Sequence, residues 1–358
     1  MLSSRVAFSP LSPEVRRADA LDQAGRHAEA IDSLVAGVRH NDVEAYTRLG
    51  KRLLIGDRAP QLQAEGAGFL RDAAGRGGAE AAALVAVLQA VGIGGRCDLP
   101  ASLASLVTAA QRGWSPAQAQ LQVLAGVAST PGAAGFDGPA APWQQLADRI
   151  DPASWQRVPD SRDLSASPLI RAFPVFVDPL ACQWIIGRAR ERLTRAMVYD
   201  AVIRQTTTHE TRTNTSATFN LLETDLVCVF VQNRIAACLG LPFQNLEAMT
   251  VLHYDPGEQI TEHFDFIDPN VPDYERQVRE RGQRIVTFLV YLNDDYAGGE
   301  TQFPRLGVSH KGCAGEGLFF VNAFGDGRPD VRTLHAGRPT TRGEKWIISQ
   351  FVKNRSAF

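Results

Sequence analysis

The sequence predicts a multidomain chain of mixed α and β class: an N-terminal α-solenoid of helical hairpins, then an antiparallel β-sandwich or barrel with flanking helices. Three observations predict it. Apolar and small residues recur with a period of 36 through the first 130 residues. Between 131 and 168 the composition turns to Gly, Pro, Ala, Asp and Ser. From Leu246 onward the chain is a succession of short β-branched and aromatic runs broken by Gly, Pro and Asp. The length of 358 residues agrees, being enough for roughly two domains that each bury a core. The expected boundaries are 1–130 for the repeats, 131–168 for a linker and 169–358 for the β domain.

The repeat is legible position by position. Leu34, Leu70 and Leu106 stand 36 apart, as do Ala45, Ala81 and Ala117, and likewise Leu49, Val85 and Leu121. Two amphipathic helices in a unit of this length mark an α-solenoid, where small residues let helix backbones approach. Gly56 and Gly92 fall just past the second helix of the first two units, where a left-handed residue closes a helix. Ala73–Gly78 and Ala109–Gly113 carry the small-residue signature of tetratricopeptide-like repeats of the short Sel-one kind, which this region resembles. Such arrays present a face to a peptide or protein, so an interaction module is expected, with a plain helical support or dimerisation domain as the alternative. His27 and His40 are isolated there and carry no chemistry.

The stretch holding "STPGAAGFDGPAAPW" and "VPDSRDLSASP" predicts a linker with one short helix near Trp143–Ile150. "DPLACQWIIGRARERL" predicts a helix with Asp178 as N-cap and Pro179 at its first position. "TDLVCVFVQNRIAACLGLP" predicts a second helix, starting at Thr224 or Asp225 and ending at Gly240. Strands are expected in "EAMTVLHYDP", "QRIVTFLVYLN", "GEGLFFVNAF", "DVRTLHAG" and "EKWIISQFV".

Bulk charge argues against several partners. A net charge of −2 gives no global attraction to nucleic acid or acidic lipid. No secretory h-region and no apolar run long enough to span a bilayer is present, so neither secretion nor a membrane location is expected. Five scattered cysteines without a CxxC read as reduced thiols, and a cytoplasmic protein is the expectation.

The chemistry-bearing stretch is "LHYDPGEQITEHFDF", Leu252 to Phe266. In a strand, residues two apart share a face, so His263 and Asp265 present an imidazole and a carboxylate side by side. A third ligand must come from elsewhere, and His335 in "DVRTLHAGRP" is placed for it; the remaining histidines of this half are His209, His253 and His310. His-x-Asp with a distant His is the facial triad of non-haem iron oxygenases, which leaves open positions on the metal. Ten residues past His335, "TTRGEKWIISQFV" puts Lys345 inside a strand, where a buried cation needs a matching anion.

With these blocks in order, residues from about Phe173 to Val352 resemble the catalytic domain of the prolyl 4-hydroxylase family of Fe(II)/2-oxoglutarate dioxygenases. The motifs are Tyr254, Gly257 and "HFD"; "RIVTFLVYLNDDYAGGETQFP"; and "LHAGRPTTRGEKW". The resemblance implies a double-stranded β-helix (jelly-roll) core. It also implies iron held by His263, Asp265 and His335, and the 2-oxoglutarate carboxylate anchored by Lys345. Tyr254, Tyr291 and Thr301 match positions around the 2-oxoglutarate pocket. O2 would be the second co-substrate, ascorbate a reductant, and succinate and CO2 the by-products. The expected activity is hydroxylation of a prolyl or other residue in a peptide or protein, with the repeats binding substrate or a partner. The alternatives are hydroxylation of a free amino acid or small metabolite, and, in another class, an adaptor with an inactive jelly-roll. Asp265 argues against a halogenase, which needs that carboxylate absent.

The sequence departs from the family three residues before His263, where Ile260 stands in place of a tyrosine. The charged run Asp265–Arg284 is expected as a flap over the site. His253 is expected to be structural, because a Pro256-Gly257 turn separates it from Asp255 as a ligand pair. His310 and Cys313 read as loop residues without a role, and Arg212 and Arg284 as surface or strand-opening arginines.

Overall fold

Helix propensity and capping set the N-terminal elements of the computed structural model, which describes residues 11–127, 142–196, 198–200, 205–207, 212–269, 271, 274–324 and 326–356. Seven helices follow one another: α1 Pro13–Gln23, α2 His27–Arg39, α3 Val43–Ile55, α4 Gln63–Gly75, α5 Ala79–Val91, α6 Leu99–Gln111 and α7 Ser115–Leu124, with a short α8 at Pro142–Ala147. Ser12, Asp42 and Asp98 cap α1, α3 and α6 by accepting backbone N–H bonds that the first turn leaves open. Gly56 and Gly92 close α3 and α5 with φ of 73° and 78°, the left-handed conformation expected of them.

The 36-residue register is the packing register. Leu34, Leu70, Leu106, Ala45, Ala81, Ala117, Leu49, Val85 and Leu121 are all buried. At the α3/α4 crossing a Cβ on Gly66 would lie 2.7 Å from the Leu54 nitrogen and 2.8 Å from the Gly50 oxygen, so only glycine permits that approach. The chain divides into two compact units, Met1–Pro152 with Leu221–Phe230, and Ala153–Asn220 with Val231–Phe358. A boundary drawn at 169 does not foresee the return segment. Leu221 and Leu222 pack on the α3–α5 core, and the Leu226 amide donates to Gln120 Oε1. Within the expected linker, residues 131–141 lie outside the described residues, while α8 sits where a short helix was expected.

The second unit is a jelly-roll. Its elements are β1 Arg162–Ala166, β2 Leu169–Phe173, α9 Pro179–Arg190, β3 Thr194–Arg195, β4 Val198–Asp200, β5 Gln205–Thr207, β6 Thr215–Phe219, α10 Leu226–Leu239 (whose first residues belong to the other unit), β7 Met249–Tyr254, β8 Ile260–His263, α11 Tyr274–Arg281, β9 Arg284–Tyr291, β10 Ala297–Gly298, β11 Thr301–Phe303, β12 Val308–His310, β13 Gly317–Val321, β14 His335–Gly337, β15 Thr340–Arg342 and β16 Lys345–Lys353. Eight strands form one antiparallel sheet in the order β1-β2-β13-β9-β16-β7-β6-β3, and four form another, β12-β11-β14-β8. β10 pairs with β15, and β4 with β5.

Strand alternation sorts the side chains. Leu252 and Tyr254 of β7, Leu289 and Tyr291 of β9, Leu318 and Phe320 of β13 and Ile347 of β16 share one core with Phe303 of β11. Their neighbours in sequence face the other way, where Phe288 stacks on Phe173 and meets Phe176 at a tilt, and Phe319 meets Phe173. Asp178 caps α9 as expected, accepting from the Leu180 amide, and Asp225 Oδ1 accepts from the Cys228 amide in α10.

Three local readings change. β1 lies inside the expected linker; as an exposed, polar edge strand it has no apolar alternation to announce it. His310 is not a loop residue. It ends β12, buried, with Nε2 3.1 Å from Glu316 Oε1, in a strand too short to show a period. The charged run Asp265–Arg284 holds helix α11, with residues 270, 272 and 273 outside the described residues.

Candidate active site

The antiparallel pairing of β8 with β14 places His263 directly opposite His335. Their rings lie 4.2 Å apart between centroids. Each imidazole is oriented by its own backbone: His263 Nδ1 lies 2.8 Å from the Thr261 carbonyl and His335 Nδ1 3.0 Å from the Thr333 carbonyl. Nδ1–H donation to a carbonyl leaves Nε2 with a free lone pair, the tautomer a metal ligand needs. Both Nε2 atoms converge on Asp265, at 3.4 Å from Oδ1 for His263 and 3.3 Å from Oδ2 for His335. Burial alone would push the Asp265 carboxyl up, but the imidazoles, His335 foremost, hold it well below the usual carboxylate range. Two imidazoles and a carboxylate, with all ligand atoms within 4.8 Å of one another, are a donor set suited to Fe(II).

The triad opens onto a cavity of about 940 Å³ whose wall includes Tyr254, Ile260, Thr301, Gly337 and Lys345. Lys345 is 3% exposed and donates to the Gly299 carbonyl at 2.7 Å. Its Nζ lies 5.3 and 5.7 Å from the ring centroids of Tyr254 and Tyr291, whose π faces favour a cation. Burial lowers its pKa to about 8, with the Glu300 charge opposing. An ammonium with so little counter-charge is suited to a carboxylate ligand.

The other expected pocket residues divide. Tyr254, register partner of Lys345, and Thr301 line the cavity; burial pushes the Tyr254 phenol up to about 12. Tyr291 does not line it. Fully buried behind the wall, it shares a 2.8 Å hydroxyl bond with Thr301 Oγ1, and burial keeps its phenol protonated far above neutral pH. Ile260 does line it, close enough that a Cβ on Gly337 would meet Ile260 Cγ2 at 2.9 Å. Arg276, Gln277, Glu280 and Arg281 of α11 complete the mouth.

Arg284 also lines the cavity, but Glu247 grips it in a two-pronged pair at 2.8 and 2.9 Å. Arg212 reaches the wall with Nε bonded to Asn214 Oδ1 at 3.1 Å. Cys313 is exposed, and His209 lies outside the described residues. His253 is not separated from Asp255 by the turn, since its Nε2 lies 3.8 Å from Asp255 Oδ1 and 3.6 Å from Glu344 Oε2.

Sequence reasoning passed over Thr287, whose hydroxyl donates to Asp265 Oδ2 at 2.7 Å. The signal was there in the strand period. Thr287 alternates with Val286 and Phe288 and so shares its face with Leu289 and Tyr291.

The family described as "2OG-Fe(II) oxygenase superfamily" matches residues 249–353. "Prolyl 4-hydroxylase subunit alpha-1" of Rattus norvegicus is 34% identical over 188 residues, 52% of this chain but 35% of its own length. "Probable prolyl 4-hydroxylase 9" of Arabidopsis thaliana is 31% identical over 212 residues, 54% of this chain and 71% of that protein. The chain thus spans about a third of the animal relative and over two thirds of the plant one. Among solved structures, the viral collagen prolyl hydroxylase of Paramecium Bursaria Chlorella virus-1 is 25% identical with a TM-score of 0.40, covering 51% of this chain and 95% of that one. A Sel1 repeat protein from Oxalobacter formigenes is 20% identical with a TM-score of 0.29, covering 37% of this chain and 54% of that one.

Proposed function

The chain belongs to the prolyl 4-hydroxylase family of 2OG-Fe(II) oxygenases, and from that premise we propose that it hydroxylates a prolyl residue of a peptide or protein, consuming 2-oxoglutarate and O2 and releasing succinate and CO2. One observation carries the reading: two backbone-oriented imidazoles converge on a buried carboxylate at the wall of a cavity that also holds a buried ammonium.

In this reading His263, Asp265 and His335 hold Fe(II). The bound iron supplies the activation of O2 that an unreactive C–H bond requires. Lys345 pairs with the distal carboxylate of 2-oxoglutarate, and its low counter-charge makes that anion the missing partner. Thr301 stands at the same wall with its hydroxyl held by Tyr291, and Tyr254 supplies the face across from the ammonium. Ile260 presents a branched alkyl group beside the triad, so the substrate ring meets an apolar edge there. Ascorbate is the reductant that keeps the metal ferrous. The repeat unit serves as an interaction module that raises the local concentration of a polypeptide substrate. A reducing, cytoplasmic setting is supported by five cysteines, none of them in a disulfide.

The test is anaerobic titration of the purified chain with Fe(II) and 2-oxoglutarate, followed by succinate release with proline-containing peptides and with free amino acids. The expected result is a weak visible charge-transfer band and peptide-dependent turnover. Absence of Fe(II) binding would leave an adaptor with an inactive jelly-roll, and turnover with free amino acids alone would remove the peptide substrate.

A further inference from the structure

We propose that Thr287 and Asn322 are positioning residues that orient the Asp265 carboxylate through a two-step hydrogen-bond relay; this rests on the reading of His263, Asp265 and His335 as the Fe(II) ligands. Asn322 Nδ2 donates to Thr287 Oγ1 at 2.8 Å, and Thr287 Oγ1 donates to Asp265 Oδ2 at 2.7 Å. Thr287 and Asn322 are 0% exposed and Asp265 is 7% exposed, so water does not compete for these bonds.

The relay has a direction. A threonine hydroxyl has one proton to give, and an ionised carboxylate can only accept. If that proton goes to Asp265, the group on the far side of the hydroxyl must be a donor, and Asn322 presents its amide nitrogen. The amide carbonyl Oδ1 is left buried without a hydrogen-bond partner among the described residues. An asparagine serving only its own hydrogen bonds would not leave that oxygen empty.

The scaffold behind the relay is stiff. The Asn322 amide donates to the Ile285 carbonyl at 2.7 Å and its carbonyl accepts from Asp330 N at 2.8 Å, which ties the end of β13 to the start of β9. Thr287 is the register partner of Phe320 across the same two strands. Asp265 itself lies past the end of β8, with no ladder partner to fix its side chain. The histidines take their orientation from backbone carbonyls within two residues of themselves. The carboxylate takes it from the opposite sheet. With Oδ2 tied to Thr287, rotation of the carboxylate about its Cβ–Cγ bond is arrested, so the triad is set before any metal arrives.

The experiment titrates the full-length apoprotein with Co(II), an oxygen-stable stand-in for Fe(II), following its visible ligand-field bands, for wild type, Thr287→Val, Thr287→Ser and Asn322→Leu. Loss of an outer partner of a metal ligand typically costs 10–100-fold in affinity, and Thr287→Val is expected to weaken Co(II) by about that factor. Asn322→Leu is expected at the low end of the same range, roughly tenfold, because the hydroxyl remains but is no longer aimed. Thr287→Ser keeps the donor and is expected to restore near-wild-type affinity and band shape, which a packing role for the threonine methyl would not. Far-UV circular dichroism establishes that each variant is folded. A folded Thr287→Val that binds Co(II) as tightly as wild type overturns the relay; should that variant not fold, wild-type affinity in Asn322→Leu overturns it instead. Failure of the wild-type chain to bind Co(II) would overturn the metal reading itself, a result distinct from equal affinities.

Discussion

Among the described residues, two clusters of histidine and acid in the β unit bring their donor atoms close together. His263, Asp265 and His335 form one; His253, Asp255 and Glu344 form the other, each with ligand atoms within 4.8 Å. The first lies inside the barrel. The second sits on the outer face of the large sheet, because His253 and Trp346 alternate with the inward-facing Tyr254 and Lys345; the His253 and Trp346 rings meet at a tilt, 4.2 Å between centroids. The difference is in what already neutralises the acids. Glu344 Oε2 accepts from Arg190 Nη2 at 2.9 Å and from Trp346 Nε1 at 3.1 Å, and Arg190 holds that carboxyl below its usual range. The Asp255 side chain is 58% exposed and solvated. In the inner cluster no arginine or lysine is paired with Asp265 among the described residues; the groups facing it are the two imidazoles. Proximity of donors therefore does not make a metal site. What marks the inner cluster as the candidate is a buried carboxylate without a competing cation, flanked by backbone-locked imidazoles.

The comparison can be broken most decisively at the histidines. His263→Ala or His335→Ala is expected to lower turnover at least about a thousandfold with far-UV circular dichroism unchanged, since a ligand of the essential metal is lost. His253→Ala should leave metal stoichiometry intact, and loss of the metal in that variant would reverse the assignment of the two clusters.

Next in size is Lys345→Ala. Removing one partner of a buried ionic pair costs about 3 kcal/mol or more, so the 2-oxoglutarate KM should rise roughly a hundredfold while kcat at saturation changes little. An unchanged KM would show that Lys345 does not touch the co-substrate. The same residue sets a pH dependence. With the folded pKa near 8 against 10.5 in the unfolded chain, burial of the ammonium weakens the fold most fully below pH 8, and that penalty fades as pH rises toward 10.5. Anion binding needs the ammonium, so the 2-oxoglutarate KM should stay flat below about pH 8 and climb by up to about tenfold per pH unit above it. A KM that falls with rising pH would contradict this.

A thermal-shift measurement sharpens the comparison further. At a hundred times its Kd, Co(II) should stabilise wild type and His253→Ala by about 2.7 kcal/mol, and His263→Ala hardly at all. The smallest effect belongs to the outer cluster. Glu344→Gln loses an ion pair with a half-exposed arginine and should cost under about 1 kcal/mol in denaturant unfolding. A larger cost would mean that the outer cluster holds the sheet in a way its exposure does not suggest.

Legibility in the sequence followed the range of the interaction. The solenoid could be read because each helix packs on neighbours one period away, so Leu34, Leu70 and Leu106 announce their burial by repetition. The nearness of His263 to Asp265 and the strand position of Lys345 could be read from short motifs, since a strand period puts residue types at fixed spacing. β1 and β12 could not, being three to five residues long and partly exposed. Tyr291 was placed at the right wall but one layer too close, because alternation gives the face of a strand and not the depth at which a neighbour such as Thr301 intervenes.

The sequence by itself determined which imidazoles, carboxylates and amines the molecule possesses, where its repeat array lies, and on which face of its own strand each side chain stands. The tertiary structure alone decided which acids remain available. Whether Asp265 meets Thr287 from 22 residues away depends on how two sheets close over one another, and whether Glu344 meets Arg190 from 154 residues away depends on where the end of α9 packs. Residues distant along the chain become neighbours only through that closure, and in a low-dielectric interior the neighbours determine whether a carboxylate is a ligand or one half of an ion pair.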